Sequence, residues 1–326
     1  CVLFRSKLLA KGADASARDP DGGDTPLVVA AFANHRYLVD ALLRAGADPN
    51  GQSLSGYTPL FSAASQGDAA VAVVAALLAA GANPDLGPQT GDNAGATPLY
   101  VAATRGATRL MQALHTAGAN TAVAMSSGLT LMHAIAKGGA GEHVALLCGW
   151  GVSVHTQSVA GITPLAYASL AGNLAVVQAL LAAGAELEAR DAAQRTPLMV
   201  AALNNQPDVV RELLARGANP HVQAATDDEP MTALLGAVVG GHEAVVRLLL
   251  DGGADIEAEP RRKHSLLVMA RGAGHEPVVK VLESHKRKLR RQAAALTTSG
   301  TAGKVSAGKV REGTSDSGVQ AMPAGG

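Results

Sequence analysis

Residues 161–184 read GITPLAYASLAGNLAVVQALLAAG and carry the signals of two short helices. Thr163 precedes Pro164, and a threonine followed by proline at the first helical position is a common helix start. Gly172 ends the first apolar run, because the residue after a helix is often a left-handed glycine. A second run, VVQALL at 176–181, has helical spacing and stops before Gly184. The stretch predicts a helix–turn–helix unit whose apolar face must be covered by neighbours.

The same unit recurs along the chain. Successive openings are separated by 33, 39, 33, 33, 33, 36 and 33 residues, and five of the eight read TPL. The opening residues are Thr25, Thr58, Thr97, Thr130, Thr163, Thr196, Thr232 and Ser265. Nine residues further on stands a Gly or Asn, the residues that best tolerate positive φ: Asn34, Gly67, Gly106, Gly139, Gly172, Asn205, Gly241 and Gly274. A second stop follows at Gly12, Gly46, Gly81, Gly118, Gly151, Gly184, Gly217 and Gly253.

A 33-residue period with G-x-TPL, a mid-repeat Gly and an LL-x-x-GA-D/N ending resembles the ankyrin repeat over about residues 1–285. The resemblance implies an all-α repeat fold: an ankyrin solenoid of stacked helix–turn–helix units with β-hairpin loops. The predicted division is a partial repeat at 1–19, repeats at 20–52, 53–91, 92–124, 125–157, 158–190, 191–226, 227–259 and 260–285, and a basic, low-complexity, disordered tail at 286–326. Because Cys1 falls in mid-repeat, we expect the chain to be a fragment.

Three irregularities interrupt the pattern. The second repeat has six extra residues, two in its second helix and four in the loop around 88–91, and the sixth has three near 224–226. In the fourth repeat His143 occupies an interior position, where a polar ring should weaken the unit. The Gly that stands two residues before most openings is replaced by Gln194, Pro230 and Lys263, which leaves the hairpin geometry of the last three repeats open.

The amino-acid composition limits the cellular compartments and the partners that we expect for this protein. Two cysteines are too few for a disulfide framework, so we expect an intracellular protein, cytoplasmic or nuclear. The longest apolar run, 69–80, is 12 residues, too short to span a bilayer. Residues 1–259 hold 14 basic and 23 acidic residues, whereas 260–326 hold 13 and 4. The acidic array should repel nucleic acid, and the basic end should attract an acidic partner.

Candidate catalytic or metal-binding residues cluster only in the fourth repeat. His133, His143 and Cys148 lie there and His115 precedes them, but a metal site needs ligands that converge on one point. His133 matches the structural histidine that many ankyrin repeats carry after TPL, so a hydrogen-bonded repeat histidine is favoured. Cys148 falls at a core leucine position and is predicted to be buried and inert. We therefore predict no catalytic residues, no metal and no cofactor, and a chain that is not an enzyme.

The resemblance implies that partners bind hairpin tips and inner helices, which line a concave face. At these positions the fourth to seventh repeats carry an apolar stripe with Arg195 inside it, and the second repeat carries Tyr57. The stripe consists of Leu129, Ile162, Leu170, Leu203, Met231 and Val239. An exposed apolar patch often marks a partner site, although scattered exposed apolar residues need no explanation. The hypothesis is that the stripe and Tyr57 bind a partner protein.

The predicted function is a non-catalytic protein-interaction scaffold or adaptor. One alternative is the recognition arm of a larger kinase, channel or ubiquitin-ligase subunit truncated at its N-terminus. The other is a nuclear or nucleic-acid-associated factor that acts through a basic run in the tail. That run comprises Lys286, Arg287, Lys288, Arg290 and Arg291. Its purely structural interpretation is a solvated helix end.

Overall fold

The computed structural model describes residues 14–20, 22–224, 231–257 and 265–302, and it describes side chains for all of these except 293 and 295–302. Most of the predicted partial repeat, Pro230, Lys263 and the end of the tail lie outside the described residues. The chain divides into two units, Cys1–Val279 and Lys280–Gly326.

Sixteen α-helices lie within the described residues, two for each predicted repeat. The first helices are α1 (Pro26–Phe32), α3 (Pro59–Ala64), α5 (Pro98–Thr104), α7 (Leu131–Gly138), α9 (Pro164–Ala171), α11 (Pro197–Leu203), α13 (Ala233–Val239) and α15 (Leu266–Gly272). The second helices are α2 (Arg36–Arg44), α4 (Val71–Ala79), α6 (Thr108–Thr116), α8 (Gly141–Gly149), α10 (Leu174–Ala182), α12 (Pro207–Ala215), α14 (Glu243–Asp251) and α16 (Glu276–Ala302). The two extra residues of the second repeat form part of a 3₁₀ turn, Gly67–Ala70, ahead of α4.

The predicted helix starts are confirmed at most openings. Six threonine hydroxyls accept a hydrogen bond from the backbone N–H three residues later, at Thr25, Thr58, Thr97, Thr163, Thr196 and Thr232. Each such cap stabilises its helix by about 1 kcal/mol. At Thr130 the imidazole of His133 instead accepts the backbone N–H of Thr130, at 3.2 Å from Nδ1. Six of the first seven repeats therefore begin at a helix capped by a threonine hydroxyl, and the fourth begins with the imidazole bond instead.

The left-handed stops are confirmed with one exception. Seven of the mid-repeat Gly and Asn residues have φ between 53 and 74°, including Asn34 and Asn205, but Gly139 has φ −84°. The hairpin geometry that the sequence left open at Gln194 matches that of the glycine-containing repeats: Gln194 itself adopts φ 60°, and the 2.8 Å bond from its N–H to Asp191 O closes the turn. Local turn bonding holds a residue that lacks the freedom of glycine.

Helices of the first unit stack in two layers. Each first helix packs against the next, and most neighbouring second helices pack likewise. A leucine two residues after six of the eight openings is buried, as at Leu60, Leu99 and Leu165. Five residues after each opening stands a buried alanine, except at Ile135, and this small side chain lets the first helices approach closely. This packing explains how an array with 2% aromatic residues builds its core.

The predicted hairpin loops are present as turns. Within the described residues no strand forms, and the one isolated antiparallel bridge joins Ala224 to Met231. Successive tips are linked by backbone hydrogen bonds, such as Ser126 N–H to Ala94 O at 3.0 Å and Val159 N–H to Ser127 O at 2.9 Å. The ankyrin-type solenoid is thus confirmed, and single backbone hydrogen bonds connect neighbouring hairpin tips.

Disorder from residue 286 onwards is wrong for residues 286–302, which continue α16. This segment, KRKLRRQAAALTTSGTA, is rich in Lys, Arg, Gln, Ala and Leu, whose helix propensity is high, and it has no proline. The remaining predicted tail, 303–326, lies outside the described residues. Among the described helices, none has both the length and the apolar character needed to cross a bilayer.

Candidate protein-binding groove

A groove of about 580 Å³ lies along the first helices and hairpin tips of the first to fifth repeats. Five of the eight aromatic residues of the chain line it. They are Phe32, Tyr57, Phe61, Tyr100 and Tyr167, and we call this surface the aromatic groove. Its volume falls within the range of about 300–1,000 Å³ that is usual for ligand pockets.

The second repeat supplies one wall of the aromatic groove. The rings of Tyr57 and Phe61 stack with centroids 5.3 Å apart, and Asn93 Nδ2 donates to the Tyr57 hydroxyl at 3.1 Å. Gly87 lies behind them: a Cβ there would be 2.0 Å from Ala96 O and 3.2 Å from Phe61 Cδ2. The glycine therefore lets the long loop of the second repeat close against Phe61, which fixes the wall.

Two tyrosines contribute to the middle of the groove. Burial, with a smaller contribution from Tyr167, raises the pKa of Tyr100 to about 12. Tyr167 packs edge-on against His133, with ring centroids 6.1 Å apart. The phenol of Tyr100 is consequently neutral throughout the physiological range and presents an uncharged ring and hydroxyl.

The charged end of the groove lies where α5 and α7 end. Arg105 and Lys137 line it and are exposed, and Asp92, on the loop before α5, is the acidic residue among the lining side chains. Gly138 brings the two helix ends together, because a Cβ there would lie 2.0 Å from Thr104 O. The adjacent glycines thus differ in role: Gly138 allows the contact, and Gly139 continues the chain with extended backbone.

The predicted partner-binding residues are distributed over more than this groove. Tyr57 and Leu129, both half-buried, line the aromatic groove. The rest of the stripe lies further along the array and does not line it. Leu170 and Val239 are 44% and 54% exposed, and Ile162, Leu203 and Met231 are half-buried. The stripe as a binding surface stays a prediction.

Two of the predicted partner-binding residues have structural partners. The guanidinium of Arg195 lies 2.7 Å from the carboxylate of Asp191, which is 4% exposed. Leu203 packs over Gly236, where an added Cβ would lie 2.9 Å from Leu203 Cδ2. These contacts give both side chains a structural role within the array.

Sequence reasoning missed Phe32, Phe61, Tyr100 and Tyr167 as a group. They stand three, four or seven residues after an opening threonine, and each repeat taken alone has at most one aromatic residue in such positions. The available signal was their distribution: the lining aromatics all fall between residues 32 and 167, whereas the stripe was sought in the fourth to seventh repeats.

The histidines of the fourth repeat serve the fold. His133 is buried and its Nε2 donates to Ile162 O at 2.9 Å, which confirms the structural assignment. Burial lowers the pKa of His133, although its bond to Ile162 O acts in the opposite direction. His143 is also satisfied: Nδ1 accepts the Ala140 N–H at 2.8 Å, and Nε2 lies 2.7 Å from Thr108 Oγ1. The imidazole is therefore not an unsatisfied interior group.

Cys148 is exposed, so its predicted burial is wrong. Leu147 occupies the interior position of α8, and the next residue points outward, as the helical period requires. Within the described ranges, no three His, Cys, Asp or Glu residues are placed to hold a metal ion.

The predicted basic run lies on α16. Arg287, Lys288, Arg290 and Arg291 are exposed and Lys286 is half-buried. Arg287 Nε donates to Glu283 O at 3.3 Å, one turn earlier in the same helix.

Comparison with known families agrees with the architecture. A model described as "Ankyrin repeats (3 copies)" matches residues 5–88 and 131–224, and a model described as "Ankyrin repeat" matches 231–259. Together the two models cover more than half of the chain. The chain therefore belongs to the ankyrin-repeat family. No curated protein matches it in a sequence search. Ankyrin repeats are in general protein-interaction modules, and ankyrin domains are in general non-catalytic.

Proposed function

We propose that this array is a non-catalytic scaffold or adaptor that binds a partner protein in the aromatic groove. The observation that carries the proposal is the gathering of five aromatic side chains into one groove of an array with few aromatics elsewhere. Aromatic residues are enriched in interface cores because they bury a large area at a low cost in side-chain entropy. The general role of the ankyrin family supports the same proposal.

Exposure at the groove makes the proposal testable without damage to the core. Phe32 is 59% exposed at the edge of the groove, so Phe32→Asp places a charge there with little effect on folding. Tyr37, which is 83% exposed on α2 and does not line the groove, provides the matched control Tyr37→Asp. Leu170→Asp with Val239→Asp tests the predicted stripe in the same way.

The experiment is affinity capture from the native cell lysate with quantitative mass spectrometry, using the full chain and these three variants. We expect one or more proteins to be retained by the full chain and by Tyr37→Asp and lost with Phe32→Asp. Loss with the Leu170→Asp/Val239→Asp variant alone would transfer the function to the stripe. Equal capture by all four chains would refute a role for either surface.

The basic helix supports a second candidate, a nucleic-acid-associated or nuclear function. Four exposed cations within five residues form a concentrated positive patch on α16. Binding of duplex DNA through this patch should weaken steeply as salt rises and should disappear in a chain that ends at His285. Salt-independent binding, or binding that survives the truncation, would contradict this candidate.

A further inference from the structure

The charges of the aromatic groove differ in sign from those of the array that surrounds it. Residues 1–259 contain 14 basic and 23 acidic residues, yet the lining side chains include Arg105 and Lys137 against Asp92 alone. Arg105 and Lys137 lie at the joined ends of α5 and α7, and Asp92 comes from the loop before α5. The groove therefore has a defined cationic end in an acidic array.

Hydroxyl groups near the cationic end donate hydrogen bonds to backbone carbonyls of their own helices. Thr104 Oγ1 donates to a carbonyl of its own helix, with Tyr100 O at 2.8 Å, and Ser65 Oγ donates to Ser62 O at 2.6 Å. A hydroxyl has one proton, so these two groups can offer a ligand only acceptor lone pairs. Arg105 and Lys137 are consequently the strong donors at this end, and their complement is an anion.

The remainder of the lining selects a bulky apolar group. Phe61 and Tyr57 form a stacked wall, and the neutral ring of Tyr100 lies beside it in the groove. An aromatic or large aliphatic side chain that enters this space exchanges water contacts for ring faces, at roughly 25 cal/mol for each Å² of apolar surface removed from water. A polar chain without such an anchor would gain little there.

Resting on the proposed function, we infer that the partner presents a short segment with an aromatic or large aliphatic anchor and an Asp or Glu a few residues away. The anchor seats against Phe61 and Tyr100, and the carboxylate pairs with Arg105 and Lys137. Because both cations are exposed, the carboxylate contributes mainly to selectivity and association rate, and the anchor provides most of the affinity.

The test uses a phage-displayed library of random dodecapeptides as the probe and the full chain as bait. We expect the enriched peptides to share an apolar anchor with a nearby acidic residue. The double variant Arg105→Glu/Lys137→Glu should lose these peptides and enrich basic ones instead. The matched control is Arg109→Glu/Arg211→Glu, which reverses two exposed charges on second helices away from the groove and should retain the original peptides.

A synthetic copy of the best peptide then gives the magnitude by fluorescence polarisation. Replacing its acidic residue by the matching amide should weaken binding by about three- to tenfold, as expected for exposed ion pairs. The difference should shrink at high salt, where the Debye length falls from about 10 Å at 0.1 M to about 3 Å at 1 M. Circular dichroism and urea unfolding of each variant show that it is folded.

The outcomes separate this inference from the proposed function. Peptides that lack an acidic preference but lose binding with Phe32→Asp would leave the groove as the binding site and overturn its acidic selectivity. Peptides that bind all variants equally would overturn both. Failure of the full chain to enrich any peptide family would also refute the inference, because a groove of this size and composition should select an anchor.

Discussion

The guanidinium of Arg195 binds the buried carboxylate of Asp191 through Nε at 2.8 Å and Nη2 at 2.7 Å. Asp191 Oδ1 also accepts the backbone N–H of Arg195 at 2.8 Å, so residues 191–195 form a closed hairpin tip. This tip contains Gln194 at φ 60°, in the position that the first five repeats give to glycine. An ionic clamp thus holds a turn whose sequence is unfavourable for it.

Replacing Arg195 by Ala should destabilise the array. The carboxylate of Asp191 would remain buried with its cation removed, and such a loss costs about 1–3 kcal/mol. Urea unfolding followed by circular dichroism measures it. The matched control is Arg211→Ala, whose exposed pair with Asp208 should contribute less than about 1 kcal/mol. Equal effects of the two substitutions would show that the clamp adds nothing beyond a surface pair.

Replacing Gly138 by Ala should disturb the contact between the third and fourth repeats. The new Cβ would lie 2.0 Å from Thr104 O, so the ends of α5 and α7 must separate, and overpacking of this kind costs about 1–3 kcal/mol. Because Lys137 and Arg105 flank the contact, binding of the peptide probe should weaken as well.

Gly149→Ala is the control for Gly138→Ala. Gly149 is helical, and an added Cβ there meets nothing within 4 Å. Alanine is the better helix former, so this substitution should leave the free energy of unfolding unchanged or raise it by at most about 1 kcal/mol. If Gly138→Ala behaved in the same way, the close approach of the two helices would have no energetic consequence.

Much of the array was predictable from sequence because the repeat is encoded locally. A capping threonine such as Thr163, an inward Leu165 and a left-handed Gly172 each act within a few residues, and eight copies reinforce one another. Even Asn34 and Asn205, which replace glycine, were assigned correctly, since asparagine also tolerates positive φ.

The aromatic groove was not predictable in this way because it is a property of several repeats together. Phe32, Tyr57 and Tyr100 come from three repeats and meet only after the helices have stacked. Likewise, the clamp that allows Gln194 to replace glycine depends on the contact of the Arg195 side chain with Asp191, which forms only in the folded turn. The sequence shows which residue types are present, but the site forms only when the repeats stack.

Replacing Gln194 by Gly should stabilise the sixth repeat. A non-glycine residue in the left-handed region costs about 1–2 kcal/mol, and the added freedom of glycine in the unfolded chain offsets part of the gain. We expect a net increase of about 0.5–1 kcal/mol in the free energy of unfolding. The neighbouring Ala193→Gly, where φ is not positive, should instead lose about 0.4–1 kcal/mol. A loss in both variants would mean that the glutamine side chain itself stabilises the turn.

The buried imidazole of His133 should make the array less stable in mild acid. Its folded pKa is lowered from 6.5, chiefly by burial, so the unfolded chain binds the proton more readily than the folded one. Stability is therefore complete above pH 6.5, falls as the pH drops below that value, and stops falling on this account below the folded pKa. The measurement is urea unfolding at a series of pH values.

Comparison with His133→Gln isolates this contribution from other titrating groups. The amide of glutamine does not titrate but can donate a hydrogen bond, as His133 Nε2 does to Ile162 O. The difference in unfolding free energy between the native chain and this variant should therefore shrink, or move in favour of the variant, as the pH falls below 6.5. His155→Gln changes an exposed histidine and serves as the control for the substitution itself. A pH-independent difference for His133→Gln would mean that the proton binds the folded and unfolded chains equally, and the lowered pKa would be wrong.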